Sequence, residues 1–235
     1  MLTTFVADFL KIKRKMIWFL IFLGPFGVVA LEAVNFGLRY DYLTKRYEAD
    51  LWGGLIGEAS FLAIPALMLG LTIITSMIAS IEHQTNAWKQ LLALPISKFR
   101  VFTGKFLLAA VLLFISSTLL FVGIIILGLF LKFGLAIPLL TLLKMVYLPY
   151  FAAMPFIAFQ TWLSITVKNQ AIPLTTGILS TILSLAAFNF PDWFPWNWLY
   201  LESWGSPLYS AIAGLCLGFI LYMLGLIDFG RKDVQ

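Results

Sequence analysis

The chain has 235 residues, 61% of them hydrophobic and only 11% charged, with a formal net charge of +5. Such a chain is too apolar to hide its surface from water as an ordinary soluble domain, and it offers no basic soluble face of the kind that binds nucleic acid. It reads as a helical membrane protein, because about 20 apolar residues cross the hydrocarbon layer and no period-2 alternation of the outer-membrane barrel kind is present.

The first fifteen residues, MLTTFVADFLKIKRK, place Leu2, Phe5, Phe9 and Ile12 at helical spacing, with Asp8, Lys11 and Arg14 on the other side. They predict a helix lying in the inner membrane interface; the plainer alternative is a tail whose lysines only set topology. Six apolar runs follow: Met16 to Val34, Leu55 to Ser80, Phe106 to Leu131, Met145 to Val167, Ala171 to Phe190 and Pro207 to Ile227. The first run is long, contains Pro25 and lacks a small-residue cleavage site, so it is expected to be a retained helix rather than a signal peptide. After it, Phe36, Tyr40, Leu43, Tyr47 and Leu51 form a helical stripe that Gly53 and Gly54 are expected to break.

Residues 81–95 read as a short amphipathic helix between the second and third runs. Ile81, Thr85, Trp88 and Leu92 share one face with Leu91 beside them, while Glu82, Asn86, Lys89 and Gln90 fill most of the rest. Pro95 ends this helix and Ser97 is an N-cap candidate for the next. That third helix continues without proline to about Phe133, and its basic start, Lys98, Arg100 and Lys105, is expected to project into the cytoplasm. Pro149, Pro155 and Pro173 predict kinks in the fourth and fifth spans. The segment 191–207 crowds Trp193, Phe194, Trp196, Trp198, Tyr200 and Trp204 together. It is read as an interfacial aromatic belt, or as short re-entrant elements capping an outer cavity. In that second reading Trp193, Trp196, Trp198, Trp204 and Glu58 would contact substrate.

The expected fold is thus a single all-α membrane domain over residues 1–235, with six spans and both termini inside. The face carrying the termini holds eleven of the lysines and arginines and the other face five, as the bias of cationic flanks toward the cytoplasm requires. The lone Cys216, inside the last span, is read as a packing residue with no disulfide framework. Gly104-Lys105 is no phosphate loop, since Phe99 stands where its first glycine is needed. His83 is the only histidine and has no cluster for a metal. An intramembrane enzyme is left without a catalytic constellation. A secondary transporter or channel would have to rely on Glu32 and Glu58, both near the outer ends of their spans.

The stretch EHQTNAWKQLLALPISKFRVFTGK resembles the cytoplasmic loop of ABC-2-type permeases, the membrane subunits of ATP-driven exporters. The pattern lies in Glu82, Leu91, Leu92, Leu94, Pro95, Ile96, Ser97, Lys98 and Lys105. The form EHQ-N-WKQLLALP is similar to the permeases of lantibiotic-immunity and bacitracin-resistance transporters. The resemblance implies that residues 81–95 form a coupling helix seated on a separate ABC ATPase, with Glu82, Trp88, Lys89, Leu91, Leu92 and Pro95 as coupling residues. It implies that ATP and Mg bind that partner and that no cofactor binds this chain. A second permease copy, identical or homologous, would complete the pathway in the bacterial plasma membrane, among membrane lipids. The implied cargo is an amphiphilic peptide; the alternative is another amphiphile such as a lipid, glycan or drug.

Overall fold

The structure, a computed structural model, describes residues 9–12, 16–84 and 97–231. Residues 9–12 form a helical turn, and the helices that follow are α1 (Ile17–Leu38), α2 (Tyr40–Arg46), α3 (Leu51–Gln84), α4 (Lys98–Phe130), α5 (Leu139–Ala152), α6 (Met154–Thr166), α7 (Ala171–Leu185), α8 (Pro195–Trp198) and α9 (Pro207–Arg231). Single 3-10 turns lie at Ala187–Asn189 and Ser203–Gly205, and no strand occurs among the described residues.

In α1 one stripe, Ile17, Ile21, Pro25, Val28, Glu32 and Phe36, is buried against the bundle. The opposite side carries Phe19, Phe22, Phe26, Leu31 and Val34, equally apolar and exposed. Both faces are hydrophobic because one meets protein and the other meets lipid, so hydropathy alone does not tell them apart. The long α3 is the centre of the fold and packs against α1, α4, α6 and α7. Two of its buried hydroxyls pair on their own helix, Thr72 donating to the Met68 carbonyl at 2.8 Å and Thr75 to the Leu71 carbonyl at 2.7 Å, while buried Ser76 donates to Gln170 at 3.1 Å. Small side chains with internally paired hydroxyls let neighbours approach closely without an orphaned donor.

Four helices, α1, α3, α4 and α9, are each long and apolar enough to cross a membrane. The fourth apolar run folds as α5 and α6, bent by 41° at a break around Ala153. Pro149 lies inside α5 and Pro155 in the first turn of α6, so two missing backbone donors flank the bend. On the far side of this bend sits α9, whose Gly214 and Gly218 face Ala152 and Met154 with no room for a Cβ. A G-x-x-x-G spacing here serves a contact within the chain.

Three expectations are corrected. The stripe from Phe36 to Leu51 does not run on to the glycines. The chain turns at residues 47–50, and Gly53 and Gly54 sit in the first turn of α3. Asp50 accepts from the Gly53 N–H at 2.8 Å as a cap, and a Cβ on Gly54 would strike the Tyr47 ring. The fifth run ends at Leu185 rather than Phe190, because the chain tightens into a 3-10 turn ahead of Pro191. The fifteen residues of α7 reach about 22 Å, short of the ~30 Å hydrocarbon layer. Ser97 does stand at the N-cap of α4, in extended conformation, but its side chain makes no capping bond.

Candidate functional site

Near the C-terminal end of α3 a carboxylate is buried among cations. Glu82 is 1% exposed, and its Oε1 accepts from Lys105 Nζ at 3.1 Å and from Lys11 Nζ at 2.9 Å. Lys105, in the second turn of α4, is 2% exposed, whereas the Lys11 side chain is 39% exposed. This corrects the expectation that Lys105 projects into the cytoplasm: its stem packs inside the bundle and its ammonium is held by the acid. Burying both charges is costly, and close hydrogen-bonded geometry offsets that cost. One carboxylate thereby joins the N-terminal segment to the two helices that flank residues 85–96. Ile12, fully buried, and Phe9, edge-on to Trp18 at 5.5 Å, seat the N-terminal turn beside it.

Further contacts bind the same end of the bundle. The His83 ring lies 3.1 Å from the Ser164 carbonyl, Lys98 donates to the Gly230 carbonyl at 3.4 Å, and Trp162 donates to Asp228 at 2.9 Å. The ends of α3, α6 and α9 and the start of α4 therefore form one connected layer. Trp88, Lys89, Leu91, Leu92 and Pro95 lie outside the described residues.

At the opposite end, Glu32 is buried on the inward stripe of α1 rather than reaching out of the membrane, and Asn35 donates to it at 3.3 Å. Glu58 accepts from the Tyr47 hydroxyl at 2.6 Å. A cavity of about 500 Å³ opens between α3, α4, α5 and the segment leading to α9. Its polar lining is Ser60, Ser117, Thr141, Lys144, Tyr200 and Glu202. The expected tryptophans are elsewhere. Trp193 is 67% exposed at the tip of the segment, and Trp198 is buried in the core with its indole donating to the Asp192 carbonyl at 2.7 Å. Trp196 packs on Phe156 at 4.9 Å and donates to the Ser180 carbonyl at 2.9 Å. It lines a different, apolar crevice of about 390 Å³ between α3, α6, α7 and α9. The side chain of Trp204 is outside the described set. Glu58 does not line this larger cavity, although its neighbour Gly57 does.

Residues 4–185, well over half of the chain, match a family model described as ABC-2 family transporter protein. The chain belongs to the ABC-2 transporter family. No curated protein and no solved structure gives a significant match. As an ABC-2 permease it is a transport membrane subunit and a multi-pass protein of the bacterial plasma membrane, and the family implies an ABC ATPase as partner. The matched stretch contains the Glu82 junction of the permease but stops before α8 and α9.

Two features of this permease were missed in the sequence. A lysine within an apolar helix, such as Lys105, carried a signal, since a charge there requires a partner. Lys144 and Glu202 gave none, because nothing in their spacing shows that α5 and the segment before α9 share a cavity.

Proposed function

We propose that this ABC-2 permease is the membrane-spanning subunit of a bacterial exporter that expels or extracts an antimicrobial peptide of the lantibiotic or bacitracin kind. It would cross the membrane six times, with both termini inside, and work beside a second permease copy. A separate ATPase would supply the energy, docking on residues 81–95 through Trp88, Lys89, Leu91, Leu92 and Pro95. The observation that supports this reading most is the Glu82 carboxylate, held between Lys105 and Lys11 where α3 enters that loop. A loop whose two flanking helices and N-terminal brace share one buried anion moves them together. The cargo rests on the likeness of the loop to peptide-resistance permeases.

The test is co-purification of the permease with its ATPase, with hydrolysis and peptide resistance measured in parallel. Trp88→Ala is expected to reduce bound ATPase, since a large aromatic at a docking contact contributes about 2 kcal/mol or more. Glu82→Ala, which leaves Lys105 buried without its acid, is expected to lower the melting temperature, while the permease that folds still binds the ATPase and hydrolysis no longer supports resistance. Full ATPase binding and full resistance in both variants would refute the coupling role. Resistance unaffected by deleting the permease would refute the cargo alone. One observation favours a second cargo reading, a lipid-sized amphiphile: the outer cavity falls in the ~300–1,000 Å³ range of small-ligand pockets.

A further inference from the structure

The outer cavity combines apolar walls with two opposite charges. Ile56, Phe61, Ile64 and Met145 provide the walls, while Lys144 comes from α5 and Glu202 from the segment before α9. Both charged residues are exposed, and among the described residues neither takes part in an ion pair. Tyr200 also lines this space. Between Tyr200 and Glu202, Leu201 holds a left-handed backbone at φ 63°, an unusual state for a large side chain. Such strain persists where the surroundings enforce it, and it is found at ligand clamps. Leu199, Tyr200, Leu201 and Glu202 all line the cavity around this position.

We propose that this cavity binds a zwitterionic phospholipid of the outer leaflet with a phosphoethanolamine head. Lys144 takes the phosphate, Glu202 takes the ammonium, and the first part of an acyl chain lies against the walls on α3 and α5. The charge pattern selects this occupant. An anionic lipid leaves Glu202 unanswered, and a cationic amphiphile leaves Lys144 unanswered. The volume agrees, because about 500 Å³ accommodates a lipid head and part of one chain but not a folded peptide antibiotic. The site belongs to the permease alone and is independent of the peptide cargo and of the coupling loop.

The experiment uses the full-length permease in nanodiscs containing a diazirine-bearing phosphatidylethanolamine or a phosphatidylglycerol with the same chains. The labelled residues are located by mass spectrometry. The ethanolamine lipid is expected to label the cavity walls at least several-fold more than the glycerol lipid. Lys144→Glu and Glu202→Lys should each cut that labelling several-fold. The double variant Lys144→Glu/Glu202→Lys, which reverses the direction of the pair, should restore at least half of it. Ser60→Trp, which fills the cavity and leaves both charges, should abolish labelling. If a single charge variant fails to fold, the double variant and Ser60→Trp decide. Equal labelling by the two lipids, indifference to the charge changes, or labelling that survives Ser60→Trp would overturn the proposal. Displacement of the lipid by an equimolar lantibiotic would also overturn it, in favour of a peptide occupant. None of these outcomes bears on ATPase coupling, which is read from hydrolysis.

Discussion

Lys105 and Lys11 reach the same oxygen of Glu82 from different depths, and this predicts unequal consequences for their loss. Breaking a buried ion pair leaves an uncompensated charge and costs about 3–5 kcal/mol, whereas an exposed pair contributes about 0.2–1 kcal/mol. Lys105→Met is therefore expected to lower the melting temperature of the detergent-purified permease far more than Lys11→Ala. Equal losses would mean that the carboxylate is not held chiefly from inside the bundle. The tryptophans separate in the same manner. Trp198 is buried and hydrogen-bonded, so Trp198→Ala should cost about 3–5 kcal/mol and lower the yield of folded protein. Trp193, two-thirds exposed, should tolerate alanine without a change in melting. A shift in peptide selectivity after Trp198→Ala would thus carry no information about substrate contact unless folding were unchanged.

Between elements, α9 comes close to the α5–α6 bend at Gly214. A Cβ on Gly214 would lie 2.5 Å from the Ala152 Cα and 2.8 Å from its carbonyl oxygen, and neither is a flexible side-chain end that could yield. Gly214→Ala should therefore destabilise the permease by about 1–3 kcal/mol, as overpacking does. Gly27, mid-helix in α1, has nothing within 4 Å of an added Cβ. Gly27→Ala should be neutral, or stabilising by about 0.5–1 kcal/mol through helix propensity alone. Thermal unfolding of the two variants side by side separates contact from propensity. A Gly214→Ala variant as stable as the parent would show that α9 can shift away from the bend. The bend itself follows from Pro149 and Pro155, and α9 packs against it through Gly214 and Gly218.

For the whole molecule, the deciding element is α7. At about 22 Å it is shorter than the hydrocarbon layer, and a short helix crosses only if the bilayer thins or its flanks snorkel. Both ends have suitable flanks, Lys168 and Asn169 on one side and the aromatic segment on the other. If α7 crosses, the C-terminus returns to the side of the N-terminus. In a Cys216→Ser background, a cysteine replacing Lys45 should then react with an impermeant maleimide in intact cells. One replacing Arg231 should react only after permeabilisation. Labelling of the Arg231 position from outside would mean that α7 is re-entrant and the crossing number is odd. Cys216 must be removed first because its thiol is exposed on α9.

Composition and run length by themselves determined the class of this protein, and they had to: a helix in hydrocarbon satisfies its own backbone, so the apolar runs mark the elements one by one. Pro149 and Pro155 marked the bend, whereas Pro173 lies in the first turn of α7. The loop from Glu82 to Lys105 carried the family, since its leucines, proline and lysine form a local pattern that needs no partner element to be seen. Tertiary structure alone decided the rest. In a membrane protein lipid and protein select for the same apolar surface, so which side of α1 or α9 is buried is not written in hydropathy. Glu82, Lys105 and Lys11 are 23 and 71 residues apart in their pairings, and only the packing of α3 on α4 and on the N-terminal turn makes them one charge cluster. The tryptophans, which the sequence crowded together, were dispersed by folding to the surface, a crevice and the core. Lys144 and Glu202, far apart in the chain and featureless in it, line one cavity because α5 and the segment before α9 close over the same end of α3.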